Sequence, residues 1–482
     1  MQQRIVVSAS WRRASRLTPL AIALAACLDS GASAATIAVN DASEGSVSAK
    51  CTLSDAVIAV NTAAAKNACV AGNGSSDTID LSLFTAPTTI TFTVPSALDA
   101  NSALSITKAV AINAPVDGSG NPLVTLTRSS AGGTPNFRLI GNTANLSLRG
   151  LRLTNGAAAD LGGAVSAAGT AAVNLMNSIV SGNTAVTSGG GVAVDCGQLY
   201  LKNSVISGNS ASQHGGGLYA SNYEPGGGHC SAFITLNSST ISGNHATSGN
   251  GGGVYSFYGT VVGSYVTIDA NTAGGSKGGG VYAYIGVTLS NSTVSNNSIG
   301  MNGGGIYTQN AINLFNTTVA GNSAYEAGAL MSYRVSLFLS TIAGNSVQLQ
   351  NYPLGGIRCQ QTCLLVSTII SANMGDQIKA GTPVTGHHNL IGSNPSGNTP
   401  SLPNDTINCN PILGPLADNG GPTKTRALGN GSCAIDAGPQ STSGYASDQR
   451  GRKFARRVGA STDIGAYEAQ TNERIFYDGF DT

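Results

Sequence analysis

Eight times between Val180 and Asn373 the chain writes a β-branched residue, two small or short polar residues, then Asn. The copies are Val180-Ser-Gly-Asn183, Ile206-Ser-Gly-Asn209, Ile241-Ser-Gly-Asn244, Ile268-Asp-Ala-Asn271, Val294-Ser-Asn-Asn297, Val319-Ala-Gly-Asn322, Ile342-Ala-Gly-Asn345 and Ile370-Ser-Ala-Asn373. The closing asparagines recur at intervals of 26, 35, 27, 26, 25, 23 and 28 residues. A repeat of that length, anchored by β-branched residues and punctuated by glycine, belongs to a solenoid, because one unit cannot bury its apolar face alone and must stack.

Counting back from each Asn, the eighth position is Leu in seven copies: Leu175, Leu201, Leu236, Leu289, Leu314, Leu337 and Leu365, with Gly263 in the remaining one. The sixth is mostly Asn or Ser, as at Asn177, Asn203, Asn291 and Asn316. Apolar residues two apart describe short half-buried strands, since strand side chains alternate faces. Forward of the Asn runs Gly-Gly-Gly plus an aliphatic residue, as at 189–192, 215–218, 251–254, 278–281 and 303–306. A right-handed parallel β-helix of the pectin-lyase-like kind, all-β, accommodates both features. Its rungs stack at about 4.8 Å, so the eight Asn are expected to form one internal hydrogen-bonded ladder. Asn also tolerates the left-handed backbone of a sharp corner.

Arg4, Arg12, Arg13 and Arg16 precede an apolar stretch from Leu17 to Leu28, and Ala32-Ser-Ala34 then matches a secretory cleavage site. Residues 1–34 are therefore read as a signal peptide, with a lipobox ending at Cys27 as the rival reading. Removing them leaves eight cysteines, an even number, as an exported chain that forms disulfides would have. They lie as neighbours, Cys51/Cys69, Cys196/Cys230, Cys359/Cys363 and Cys409/Cys433, which favours four local bridges over metal binding. Charged residues are 10% of the chain and its net charge is +1, so nothing electrostatic points to nucleic acid. No later stretch has the roughly 20 uncharged apolar residues of a membrane span. No cofactor or metal site is expected, and the chain is read as a monomer.

Three segments resemble known families. The repeats, 101–375, resemble those of chlamydial polymorphic outer membrane proteins, with Gly-Gly-Gly-Val/Leu/Ile and Ile/Val-x-x-Asn in place of Gly-Gly-Ala-Ile and Phe-x-x-Asn. Residues 35–100 contain Cys51-Thr-Leu-Ser-Asp-Ala56, Cys69-Val-Ala-Gly72 and Asp77-Thr-Ile-Asp-Leu81; they resemble the CSLREA domain, and the apolar stretch 53–60 reads as a helix capping the first rung. Residues 376–469 carry Asn389-Leu-Ile-Gly392, Gly414-Pro-Leu-Ala-Asp-Asn-Gly-Gly-Pro-Thr423, Ala434-Ile-Asp-Ala-Gly438, Asp448-Gln-Arg-Gly451 and Asp463-Ile-Gly-Ala-Tyr-Glu468. That set resembles the choice-of-anchor Q domain, and the tail 470–482 resembles one found on exported proteins of gamma-proteobacteria. Together the resemblances imply a secreted or surface-displayed protein of a Gram-negative bacterium, at its outer membrane, and assign it no reaction.

Three groups of residues are candidates for function. Tyr219, Tyr255, Tyr282 and Tyr307 follow the inward aliphatic residue of successive rungs. Alternation puts them outside, either as a ladder shielding the sheet or as a flat aromatic track for sugar rings. The longest repeat holds an insertion at 221–230, and a Cys196–Cys230 bridge draws Asp195 towards Glu224 and His229, either as a stapled surface loop, the reading favoured here, or as a catalytic set for glycoside hydrolysis if the carboxyl groups lie about 5 to 9.5 Å apart. Asp436, Asp448, Asp463 and Glu468 surround Arg450, either as calcium ligands or, as expected here, as an Asp–Arg network closing the terminal cap. Between Asn174 and Asn373 the acids are only Asp195, Glu224, Asp269 and Glu326, a thin supply for a polysaccharide lyase. The expectation is a non-enzymatic β-helix displaying a surface for adhesion or glycan binding, its partner a polysaccharide or a host or cell-surface ligand. The alternative is a polysaccharide lyase or glycoside hydrolase on the same scaffold.

Overall fold

The rung containing Val281–Ala283, Gly286–Ser290, Thr293–Ser295 and Ser298–Ile299 shows how one repeat folds. Val281, Val287, Leu289 and Val294 point inward and are fully buried, while Thr288, between Val287 and Leu289, faces outward. Each strand pairs in parallel with its counterparts one rung away, Leu289 with Leu314 and Val294 with Val319 among them. This is a right-handed parallel β-helix. In the computed structural model, which describes residues 34–221, 230, 232–348, 354–441 and 444–470, the rungs make parallel sheets of 22, 12 and 8 strands. The Cys27 lipobox and the tail from Thr471 lie outside the described residues.

Three bends per rung need a left-handed backbone, one of them at the first Gly of the glycine run, and the ladder asparagines occupy none of them. The first falls six residues before the ladder Asn, at Asn177, Asn203, Asn291 and Asn316, with φ between 45° and 50°. The second falls immediately before it, at Gly182, Gly208, Ala270 and Asn296 among others. The corner role expected of the ladder residues thus belongs to their neighbours. In the glycine run, Gly278 has φ +70°, and a Cβ on Gly279 would lie 2.4 Å from the Gly304 carbonyl oxygen of the next rung.

The ladder asparagines sit inside, and each side chain connects two rungs. Asn297 Oδ1 accepts from Asn271 N at 3.0 Å and from its Nδ2 at 2.9 Å. Asn297 itself donates through N and Nδ2 to Asn322 Oδ1, and through Nδ2 to the Ile268 carbonyl. The same pattern runs from Asn183 to Asn373. Gln377 then takes the place of an Asn, accepting from Asn373 N and Nδ2 and donating through its own N to Asn394 Oδ1. A second buried column stands five residues before each Asn, where the Ser204 and Ser239 hydroxyls accept from Ser178 N and Ser204 N.

Rungs begin before the legible repeats, with Thr36–Ala38 pairing Asp77–Asp80. The helix Leu53–Thr62 starts at Thr52, whose side chain accepts from Asp55 N, and buries Leu53, Ala56, Val57, Ala59 and Val60 against those first strands. Cys51–Cys69 ties it down. Beyond the last rung the chain turns back. An antiparallel hairpin, Leu413–Ala417 with Thr425–Leu428, introduces a segment that crosses the outer face of the 12-stranded sheet.

Candidate functional site

Register places the tyrosines in one outward column, continued by Met331, Arg358 and Lys379 on later rungs. Adjacent rings are nearly parallel: Tyr219 and Tyr255 are 5.5 Å apart between centroids, Tyr255 and Tyr282 4.9 Å, and Tyr282 and Tyr307 5.8 Å. Their faces therefore look along the solenoid axis, each covering the next. Tyr255, Tyr282 and Tyr307 are only 7%, 5% and 7% exposed. A sugar needs an open ring face, and Tyr255, Tyr282 and Tyr307 do not present one, while Tyr219 at the end of the stack is half-buried.

The residues before two of the glycine runs add to the cover. The His214 ring stacks on Tyr255 at 4.3 Å, and Lys277 Nζ lies 5.1 Å from the Tyr307 centroid. His214 Nδ1 accepts from Asn250 N at 3.0 Å, and burial lowers the imidazole pKa below its usual value. Burial, then the neighbouring phenols, pushes Tyr282 up to about 12 and Tyr255 higher still. Tyr282→Leu leaves a smaller apolar side chain and removes two ring stacks, so it should cost about 1–2 kcal/mol or more in a urea denaturation curve. An unchanged midpoint would show that the column contributes nothing.

The acidic residues of the repeats are dispersed. Cys196 and Cys230 are bridged, with Cα atoms 5.4 Å apart, beside Asp195, whose pKa burial raises. Glu224 and His229 lie outside the described residues. Asp269 accepts from Ser295 Oγ and Asn296 Nδ2, and Glu326 forms an ion pair with Arg358. Among the described residues, no three His, Cys, Asp or Glu side chains are grouped to hold a metal ion. The other bridges join Cys359 to Cys363 within the strand Ile357–Val366 and Cys409 to Cys433.

The carboxylates around Arg450 lie along the side of the β-helix, a correction to the terminal position expected for them. Thr318 Oγ1 donates to Gln449 Oε1 at 2.6 Å, Gln449 Nε2 donates to Thr293 Oγ1 at 3.0 Å, and Ala466 N donates to Thr341 Oγ1 at 3.0 Å. What closes the final rung is the stretch around Leu390 and Ile407, joined by backbone hydrogen bonds, with Leu402 against the core. Asp448 and Arg450 form a fully buried ion pair at 2.8 Å. The guanidinium lies 3.8 Å from the Phe454 ring centroid and 3.9 Å from that of Tyr467.

Glu468 accepts from Val458 N and Asp463 N, yet burial outweighs these bonds and pushes its pKa up to about 8. Between the ordinary value of 4.5 and about 8 the folded chain keeps a proton that the unfolded chain has released. Stability should therefore fall as pH rises through that window and level off above it. Burial raises Asp463 as well, with the same sign. Melting temperatures from pH 4 to 9 check this: Glu468→Gln should flatten the decline, and an equally steep decline in the variant would contradict it.

With this geometry in place, residues 203–221 match the Chlamydia polymorphic membrane protein repeat. That stretch carries the left-handed corner at Asn203, the buried Ser204, Ile206 and ladder Asn209, the glycine bend and Tyr219. No curated protein matches the chain. Among the described residues no helix is long and apolar enough to cross a membrane.

Proposed function

We propose that the chain is an exported, non-enzymatic β-helix that presents a surface for adhesion or glycan contact at the envelope of a Gram-negative bacterium. The observation that carries this reading is the polymorphic-membrane-protein repeat at 203–221, set within a solenoid of like rungs. The leader read at 1–34 and the eight cysteines that follow it fit an oxidising compartment. The resemblance of 376–469 to an anchoring module and of 35–100 to the CSLREA domain points the same way. A catalytic reading has less to build on, since Asp269 and Glu326 are already engaged in contacts within the wall.

Purified mature protein, incubated with neutral and uronate polysaccharides, should release neither reducing ends nor unsaturated uronate. It should retain at least one surface polysaccharide on a glycan array. Turnover that survives repurification would replace the display reading with an enzymatic one.

A further inference from the structure

Seven residues before the ladder asparagines 297, 322, 345 and 373 lie Ser290, Phe315, Phe338 and Val366, a second outward column that His387 continues on the next rung. Phe315 and Phe338 stack at 5.0 Å and 9°, like the tyrosines. One rung further the ring is replaced by Val366, and the next rung carries the exposed His387. Phe338 and His387 are thus two rung spacings apart, about 9.6 Å, with only a small aliphatic side chain between. The returning segment closes the side of this gap with Pro439, Ser441 and Tyr445, leaving a cleft of about 400 Å³.

We propose that this cleft binds a neutral pyranose, its apolar face laid on Phe338 above Val366. The proposal rests on the display reading and locates its glycan contact. A ring-thick gap over an aromatic face suits the C–H face of a sugar, because the electron-rich ring face attracts it. The rim offers hydroxyls from Ser441 and Tyr445 and the His387 imidazole, whose Nδ1 is engaged by His388 Nδ1 at 2.9 Å. Ser367 also lines the cleft, and its buried hydroxyl has no hydrogen-bond partner among the described residues. No Asp, Glu, Lys or Arg is among the described lining residues, so a uronate or an amino sugar bearing charge would find no counter-charge. The volume lies within the range of small-molecule sites of about 300–1,000 Å³.

Saturation-transfer NMR with the methyl pyranosides of glucose, galactose, mannose and N-acetylglucosamine tests the assignment, with galacturonate as the charged control. At least one neutral glycoside should bind. Val366→Phe, which fills the gap with a ring on a half-buried surface, should weaken it about tenfold or more at unchanged melting temperature. Tyr445→Phe should weaken it less. Absence of binding by every neutral glycoside to folded protein would overturn the proposal, as would preference for galacturonate. Binding that persists in Val366→Phe would place glycan contact elsewhere, overturning the cleft while sparing the display reading. Failure of surface display on cells would instead remove that reading, whatever the cleft binds.

Discussion

Replacing Asn297 by Leu is expected to lower the free energy of unfolding by about 3–5 kcal/mol. Leu has as many side-chain heavy atoms as Asn in a similar branched shape but no polar group, so the main loss is one of hydrogen bonds in a fully buried site. Asn271 N loses its acceptor and Asn271 Nδ2 one of two, the Ile268 carbonyl loses a side-chain donor, and Asn322 Oδ1 keeps only the backbone N of residue 297. Each buried group left without a partner costs about 1–3 kcal/mol, and water cannot reach the column to replace it. Asn313→Leu, on the outward face of a neighbouring strand, should stay within about 0.5 kcal/mol. Equal midpoints for the two variants in urea would contradict a structural ladder. Because rungs contact only their neighbours, amide exchange should quicken first in the rungs around 271 and 322.

Arg450→Met should be nearly as costly, about 3–5 kcal/mol, because it leaves the Asp448 carboxylate buried without its counter-charge. Two aromatic contacts to the guanidinium go with it. The damage should be regional: the segment 414–469 should become sensitive to limited proteolysis while the strands of the 22-stranded sheet keep their protection. Asp448→Asn combined with Arg450→Met removes both charges and should recover more than half of the loss. A double variant no better than the single one would show that the ion pair is not what holds the segment in place.

The solenoid was legible because an internal hydrogen-bonded column demands the same residue once per rung, and Leu175 through Leu365 repeat for the matching reason of core volume. The ladder's continuation beyond Asn373 was hidden, since Gln377 follows Asn373 by four residues and substitutes a different side chain before Asn394. Alternation correctly put Tyr255 and Tyr282 on the outer face, but it is blind to what covers that face. The cover comes from His214 and Lys277, one residue before glycine runs that had been read only as bends. The position of the returning segment was equally opaque, because Gln449 meets Thr293 across 156 residues and no periodicity connects them. The Phe315–Phe338 column was passed over because the seventh position also holds Met176, Lys202 and Asn237, and varies too much to register as a motif.

Treating intact cells of the source bacterium with an external protease tests display at the envelope most directly. The mature chain should be cut in intact cells, at exposed loops, while a periplasmic marker stays whole. Full protection until the outer membrane is permeabilised would contradict it.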